Sequence, residues 1–222
     1  PYGVFWLLAK LFTGLSLSTF GNVIGYFLVV FTALVIHGTV TYSVILKLLS
    51  GLSPVIFLSK MRDAVVFAFS TSSSNATIPV TMETVTKKMG AKNSIASFTV
   101  PLGATINMDG TAIMQGVATV FIAQVFNVDL SLSDYLMVIL TATLASIGTA
   151  GVPGVGLIML AMVLDQVGLP VEGIGLIIGV DRLLDMTRTA VNVTGDSMVT
   201  VIVSKSENQF DETLFSNPNA SQ

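Results

Sequence analysis

The sequence has no cysteine and a single histidine, His37, among 222 residues. No disulfide, thiol nucleophile or cysteine-ligated metal can be built from it, and a histidine triad or zinc site has only His37 to draw on. Charge is also scarce. Asp, Glu, Lys and Arg make up 10% of the chain, against about 25% in a soluble globular domain. That argues against a cytosolic enzyme, a disordered regulator and a nucleic-acid binder, which would need a basic patch. What is abundant is apolar: 52% of residues are hydrophobic and the mean hydropathy is +0.83. The class these numbers leave is an all-α membrane protein whose partner is the lipid bilayer. An outer-membrane barrel would read as alternating segments of about ten residues; here the apolar runs are longer and rich in Leu, Ala and Met. The chain opens on the apolar stretch Pro1–Ala9 with no signal-peptide pattern, which predicts a piece of a longer protein.

The apolar runs have unequal character. Tyr2–Thr19 is borderline in length for a span and Asn22–Leu46 is a clear one. The run from Ser53 breaks at Ser72-Ser-Ser-Asn-Ala-Thr-Ile-Pro79 and closes near Lys87 and Lys88. Ser94–Val128 is interrupted at Asn107-Met-Asp-Gly-Thr111. Leu130–Val167 breaks at Gly148-Thr-Ala-Gly-Val-Pro-Gly154, and Pro170–Val203 is the last apolar run. From Ser204 onward the chain is polar and is expected to fray. Irregular backbone exposed to lipid leaves amides unsatisfied at several kcal/mol each. Both tips must therefore lie in protein or line a cavity, which predicts two re-entrant helical hairpins. The first is flanked by Lys60, Arg62, Lys87, Lys88 and Lys92, placing its base on the cytoplasmic side. The second is flanked by Asp129, Asp134, Asp165 and Glu172 without a cation, which suits the opposite side. Pro79 to Asn107 and Pro153 to Asp181 are the same 28 residues apart. Opposed hairpins, each followed by an interrupted span, point to an inverted-repeat secondary transporter with its site near the midplane.

The last run holds the densest chemistry. At about 100° per residue, Asp181, Asp185, Arg188, Asn192 and Asp196 share an arc of about 80°. The four charges among them would cost roughly 10–14 kcal/mol if left unpaired at a bilayer centre, so they must face protein, water or ligand. An internal network pairing Asp185 with Arg188 and Asp181 with Arg182 is the bland alternative. Three carboxylates against one arginine suggest bound cations. The arginine fork suits a ligand carboxylate, and Asp185, one turn away, suits an ammonium. Together these sketch an acidic amino acid bound with metal cations.

The Asn107–Thr111 motif, the tip Ser72–Ser74, the Gly148–Gly154 tip and Asp181-Arg-Leu-Leu-Asp-Met-Thr-Arg-Thr-Ala-Val-Asn-Val-Thr-Gly-Asp196 together resemble the sodium:dicarboxylate symporter family, the glutamate and aspartate transporters. The resemblance runs from about Pro1 to Lys205. It implies the C-terminal part of an elevator-type carrier. Residues 1–20 would end a scaffold-type helix and residues 21–205 would form most of a transport domain. That domain would hold a helix over 22–47, hairpin one over 53–91, a broken helix over 93–128, hairpin two over 130–168 and a last helix over 170–203, with a polar tail over 206–222. Arg188, helped by Thr111, would bind the substrate's side-chain carboxylate and Asp185 its ammonium. Asn192, Thr189, Ser73 and Ser74 would hold the α-carboxylate region, with Gly151 and Val152 closing over it. One Na+ site would use Gly103, Asn107, Asn192 and Asp196. A second would use Thr105, Met108, Ser146, Ile147 and Thr149, and a third Asn107 and Asp109. Oxygen-rich sets suit a hard cation. The full-length protein would be a homotrimer.

Other features read more plainly. His37 is expected to be a packed residue and not a proton relay, and most methionines are filler. The serine triplet has no histidine or lysine base near it in sequence, so the protein is not read as an enzyme. The expected function is sodium-coupled uptake of aspartate or glutamate by alternating access. The alternatives are a proton-coupled, neutral amino-acid or C4-dicarboxylate carrier, or a channel with re-entrant loops.

Overall fold

The computed structural model describes residues 17–217, so most of the expected scaffold-type helix over 1–20 lies outside the described residues. Helix α1 (Leu17–Ile36) passes through a π-helical turn (His37–Thr41) into α2 (Tyr42–Ser50). The stretch Gly21–Ser50 is the one helix among the described residues that is long and apolar enough to cross a bilayer. The π turn delays the helical repeat and lets His37 and Tyr42 face the same carboxylate.

The first helical hairpin follows. Pro54 opens α3 (Pro54–Lys60) in its first turn, where its missing N–H costs nothing. Helix α4 (Arg62–Thr71) ends at Ser72, which sits at φ 51. A left-handed residue with a side chain costs about 1–2 kcal/mol, and the tip holds it between two helices. Ser73 is extended, and its hydroxyl accepts from Ala76 N at 3.2 Å to cap α5 (Ser74–Glu83). A second π turn (Thr84–Lys88) ends the outgoing arm.

The interrupted span is two helices, α6 (Asn93–Ile106) and α7 (Asp109–Val125), parted by non-helical Asn107 and Met108. A Ser131–Asp134 capping box starts α8 (Leu132–Ile147). Gly154, at φ +81, redirects the chain into α9 (Val155–Gln166), so α8 and α9 form a second helix–turn–helix unit. After a short 3-10 turn (Val171–Gly173), α10 (Ile174–Ser206) runs 33 residues, about 50 Å at 1.5 Å per residue.

Helix α10 is the axis. It packs on α4, α6, α7 and α1, while α8 and α9 pack on each other and on α7. Large apolar side chains are exposed, and polar ones are buried beside an apolar core. Leu48, Val55, Leu132 and Ile158 are 69–78% exposed, while Thr77, Gln115, Arg188 and Asp196 are 0–3% exposed. An apolar exterior with polar groups held inside is the arrangement a bilayer selects.

One expectation is corrected. From Ser204 to Asn217 the chain is ordered: α10 continues to Ser206, and α11 (Glu212–Ser216) follows with Phe215 only 1% exposed. Apolar Phe210 and Phe215, spaced among polar neighbours, give this segment a face to bury.

Candidate functional site

Two helical tips, the break between α6 and α7 and the middle of α10 meet in one place. Asn75 N donates to Gly151 O at 3.1 Å and Ser73 Oγ to the same oxygen at 2.7 Å, so the two tips touch. A Cβ on Gly151 would lie 2.8 Å from Asn75 Oδ1 and 2.9 Å from Ala104 O. Only glycine allows this closure. Between the tips lies a small cavity of about 20 Å³ lined by residues that include Ser74, Met108, Thr111, Asp185, Thr189 and Asn192. Val152 and Gly156 line it from the second hairpin.

The α10 stripe is buried as its spacing predicts: Asp181, Asp185, Arg188, Asn192 and Asp196 are 1–9% exposed. Of its expected internal pairs, Asp185 with Arg188 is present and Asp181 with Arg182 is not. Arg188 Nη1 donates to Asp181 Oδ1 at 2.9 Å, and Nη2 reaches Asp181 Oδ2 at 3.4 Å and Asp185 Oδ1 at 2.8 Å. Arg182 points outward instead of pairing with Asp181, because residues one apart on a helix do not share a face. Arg188 Nε has no partner although it is buried. Asp185 Oδ2 also accepts from Gly154 N at 3.1 Å, tying the ammonium candidate to the second tip.

Below this cluster sits a carboxylate without a cation. Asp196 is 3% exposed and accepts from Asn107 Nδ2 at 2.8 Å. The same amide reaches Asn192 O at 3.2 Å. A Cβ on Gly103 would fall 2.5 Å from Asp196 Oδ1, so α6 and α10 approach as closely as backbone allows. Gly103, Asn107, Asn192 and Asp196 are thus brought together. A buried carboxylate that meets no Lys or Arg among the described residues, beside backbone oxygens, fits a hard cation.

The second expected ion set is only partly assembled. Met108 and Thr149 line the central cavity. Met108 Sδ receives Asn192 Nδ2 at 3.2 Å. Thr149 and Ser146 are buried, with hydroxyls donating to Ala145 O and Thr143 O. Thr105 is exposed and donates to Leu102 O at 2.8 Å, and Ile147 is 47% exposed. In the third set, Asp109 has protein partners. His37 Nε2 lies 3.1 Å from its Oδ2, and Tyr42 Oη donates to the same oxygen at 3.0 Å. His37 is packed, its ring 4.6 Å from that of Tyr42, but it is also a carboxylate partner. Residues missed in the sequence are Tyr42, Asn75, Gly154 and Gln115, whose Nε2 donates to Gly156 O at 3.3 Å. Each acts across 31 or more residues; Asn75 and Gly154 lie in the two tips the sequence marks, while no local signal marks Tyr42 or Gln115.

The sequence model of the sodium:dicarboxylate symporter family matches residues 1–206. The chain belongs to the sodium:dicarboxylate symporter family. Family members similar to it include an excitatory amino acid transporter of Caenorhabditis elegans, 40% identical over 205 residues, which are 91% of this chain and 41% of that protein. The proton/sodium-glutamate symport protein of Bacillus subtilis (strain 168) is 38% identical over 95% of this chain and 49% of its own length. The proton/glutamate-aspartate symporter of Escherichia coli (strain K12) is 38% identical over 95% of the chain and 48% of its own. The chain therefore spans about half the length, or less, of these relatives. Family and relatives are transporters, not enzymes, and their kind is a membrane protein.

Proposed function

We propose that this chain is the substrate- and ion-binding part of a symporter that takes up aspartate or glutamate with Na+. The observation that carries the reading is the buried Asp181–Asp185–Arg188 cluster set where two helical tips meet, with the cation-free Asp196 beside it. A carboxylate ligand displaces Asp185 from Arg188 and takes the guanidinium fork. Asp185 then meets the ammonium one turn away. Thr111, Thr189, Asn192, Ser73 and Ser74 surround the remaining polar atoms, and Gly151 and Val152 close over them. Na+ is held by Asp196 with oxygens of Gly103, Asn107 and Asn192. Further ions use Thr105, Met108, Ser146, Ile147 and Thr149, and Asn107 with Asp109. Both hairpins are re-entrant, in an inverted repeat with hairpin two as the outer gate, and the domain moves as an elevator within a homotrimer. The opposite flanking charges and equal spacings support this arrangement.

Thermal melting of the full-length protein tests the site. Aspartate at about one hundred times its Kd adds about 2.7 kcal/mol, so it raises the melting temperature in NaCl and not in choline chloride. Succinate lacks the group for Asp185, and serine lacks the group for Arg188, so both stabilise less. Equal stabilisation by all three ligands, or by aspartate without Na+, contradicts the assignment. Stabilisation that follows pH instead of Na+ favours proton coupling, the ion named first for both bacterial relatives.

A further inference from the structure

The far end of hairpin one, away from the substrate tip, is closed by the chain's own C-terminal segment. After α10 ends, Lys92 N donates to Gln209 O at 3.0 Å and Asp211 N to Gly90 O at 2.8 Å, around an antiparallel bridge between Ala91 and Phe210. Gly90 sits at φ +91, and a Cβ there would collide with the Asp211 carbonyl. Asp211 caps α11, its Oδ1 accepting from Thr213 N at 2.9 Å and Leu214 N at 3.0 Å. Phe215 packs beside Phe210 with ring centroids 5.6 Å apart.

Lys60 is seated on this segment. It comes from α3, is 4% exposed and has no carboxylate within ion-pair distance among the described residues. Its Nζ donates to Lys88 O at 2.6 Å and Leu214 O at 2.8 Å and lies 5.7 Å above the Phe215 ring. Both carbonyls belong to the last turns of short helical segments, where backbone oxygens carry partial negative charge, and the ring face adds cation–π attraction. A buried ammonium without such partners is costly. Seating the tail and burying Lys60 are therefore one event. Lys60 lies on the incoming arm of hairpin one and Lys88 O on the outgoing arm, so the same ammonium joins both arms to the tail. The ion pairs at the rim, Lys88 with Asp63 and Lys205 with Glu212, have exposed carboxylates and contribute little.

We propose that residues 209–216 form a strap that clamps the base of hairpin one against α6 and α10, with Lys60 as its positioning residue. Hairpin one loosens only when the strap lifts. The proposal rests on the reading of hairpin one as a wall of the substrate site, because the strap acts on transport through Ser73 and Ser74 at the opposite end.

The test uses the full-length protein in lipid nanodiscs, with any cysteines outside this chain replaced and one introduced as Ala68→Cys. Ala68 is fully buried on α4, within the helix that packs on α10. Phe215→Ala and Lys60→Met should speed its alkylation by about tenfold or more through local opening. Lys60→Arg, which can still donate to both carbonyls, should restore slow alkylation. Unchanged alkylation in Phe215→Ala and Lys60→Met overturns the proposal. Hydrogen exchange of the unmodified protein decides the matter without any variant. The Lys92 and Asp211 amides should open together with those of α4. Strap amides exchanging tenfold faster while α4 stays protected would overturn the clamp. Neither readout uses substrate, so failure here is distinct from failure of the aspartate melting test.

Discussion

Arg188 holds both η nitrogens on aspartates of its own helix, so in the proposed site a ligand carboxylate would displace one of them. That exchange keeps a buried charge paired in both states, which a lone arginine could not do. Arg188→Ala leaves Asp181 and Asp185 buried without their cation, a loss of about 3–5 kcal/mol for a broken buried pair. Aspartate binding should fall by about a hundredfold or more, since each 1.4 kcal/mol is tenfold. Isothermal titration checks it, and affinity within about threefold of the parent removes Arg188 from the site. Asp196 makes the complementary prediction. Asp196→Asn keeps its shape and its contact with α6 but removes the charge that attracts a cation. Melting in graded NaCl should then show weaker Na+ stabilisation, and an unchanged Na+ dependence would place the ion elsewhere.

The hairpins carry predictions of their own. Ser73→Ala removes the 2.7 Å bond to Gly151 O, worth about 0.5–1.5 kcal/mol net. The Gly148–Gly154 tip should exchange amide hydrogens faster by about tenfold, and protection equal to the parent would show that the tips do not hold one another. At the other end of hairpin one, hydrogen bonds from the Thr213 hydroxyl and the Leu214 and Thr213 amides hold the Asp211 carboxyl below the usual carboxylate range. A folded-state pKa below the unfolded one adds stability above about pH 4 that is lost as pH falls through the lowered value. Protection of the Thr213 and Leu214 amides, relative to their intrinsic exchange at each pH, should therefore fall on acidification below about pH 4, with no change between pH 6 and 8. The elements were largely legible beforehand. The serine tip, the glycine-proline tip and the Asn107 break are runs of small or hydroxyl residues inside apolar sequence, and the structure interrupts its helices there. The order of the tail was not legible. Its burial depends on Phe215 meeting Lys60, 155 residues away in the chain, and composition alone reads such a segment as solvent-exposed.

At the scale of the molecule, an apolar exterior surrounds a polar axis, and α10 supplies most of that axis. The single arc of charges on α10 could be found in the sequence because helical periodicity places those residues on one face. The Asp185–Arg188 pair was legible in the same way, whereas Asp181 pairs with Arg188, seven residues on, and not with the adjacent Arg182, because neighbours one apart on a helix do not share a face. The Asp109–His37–Tyr42 contact needs the π turn, which no residue pattern announces. The proposed function is one of energy conversion, with acidic substrate and Na+ in neighbouring, mutually dependent sites. The most direct measurement is uptake of radiolabelled aspartate by the full-length protein in liposomes, with Na+ outside, on both sides or absent. Accumulation driven by an inward Na+ gradient and abolished without Na+ is the predicted result. Uptake that proceeds unchanged with Na+ absent on both sides would contradict it.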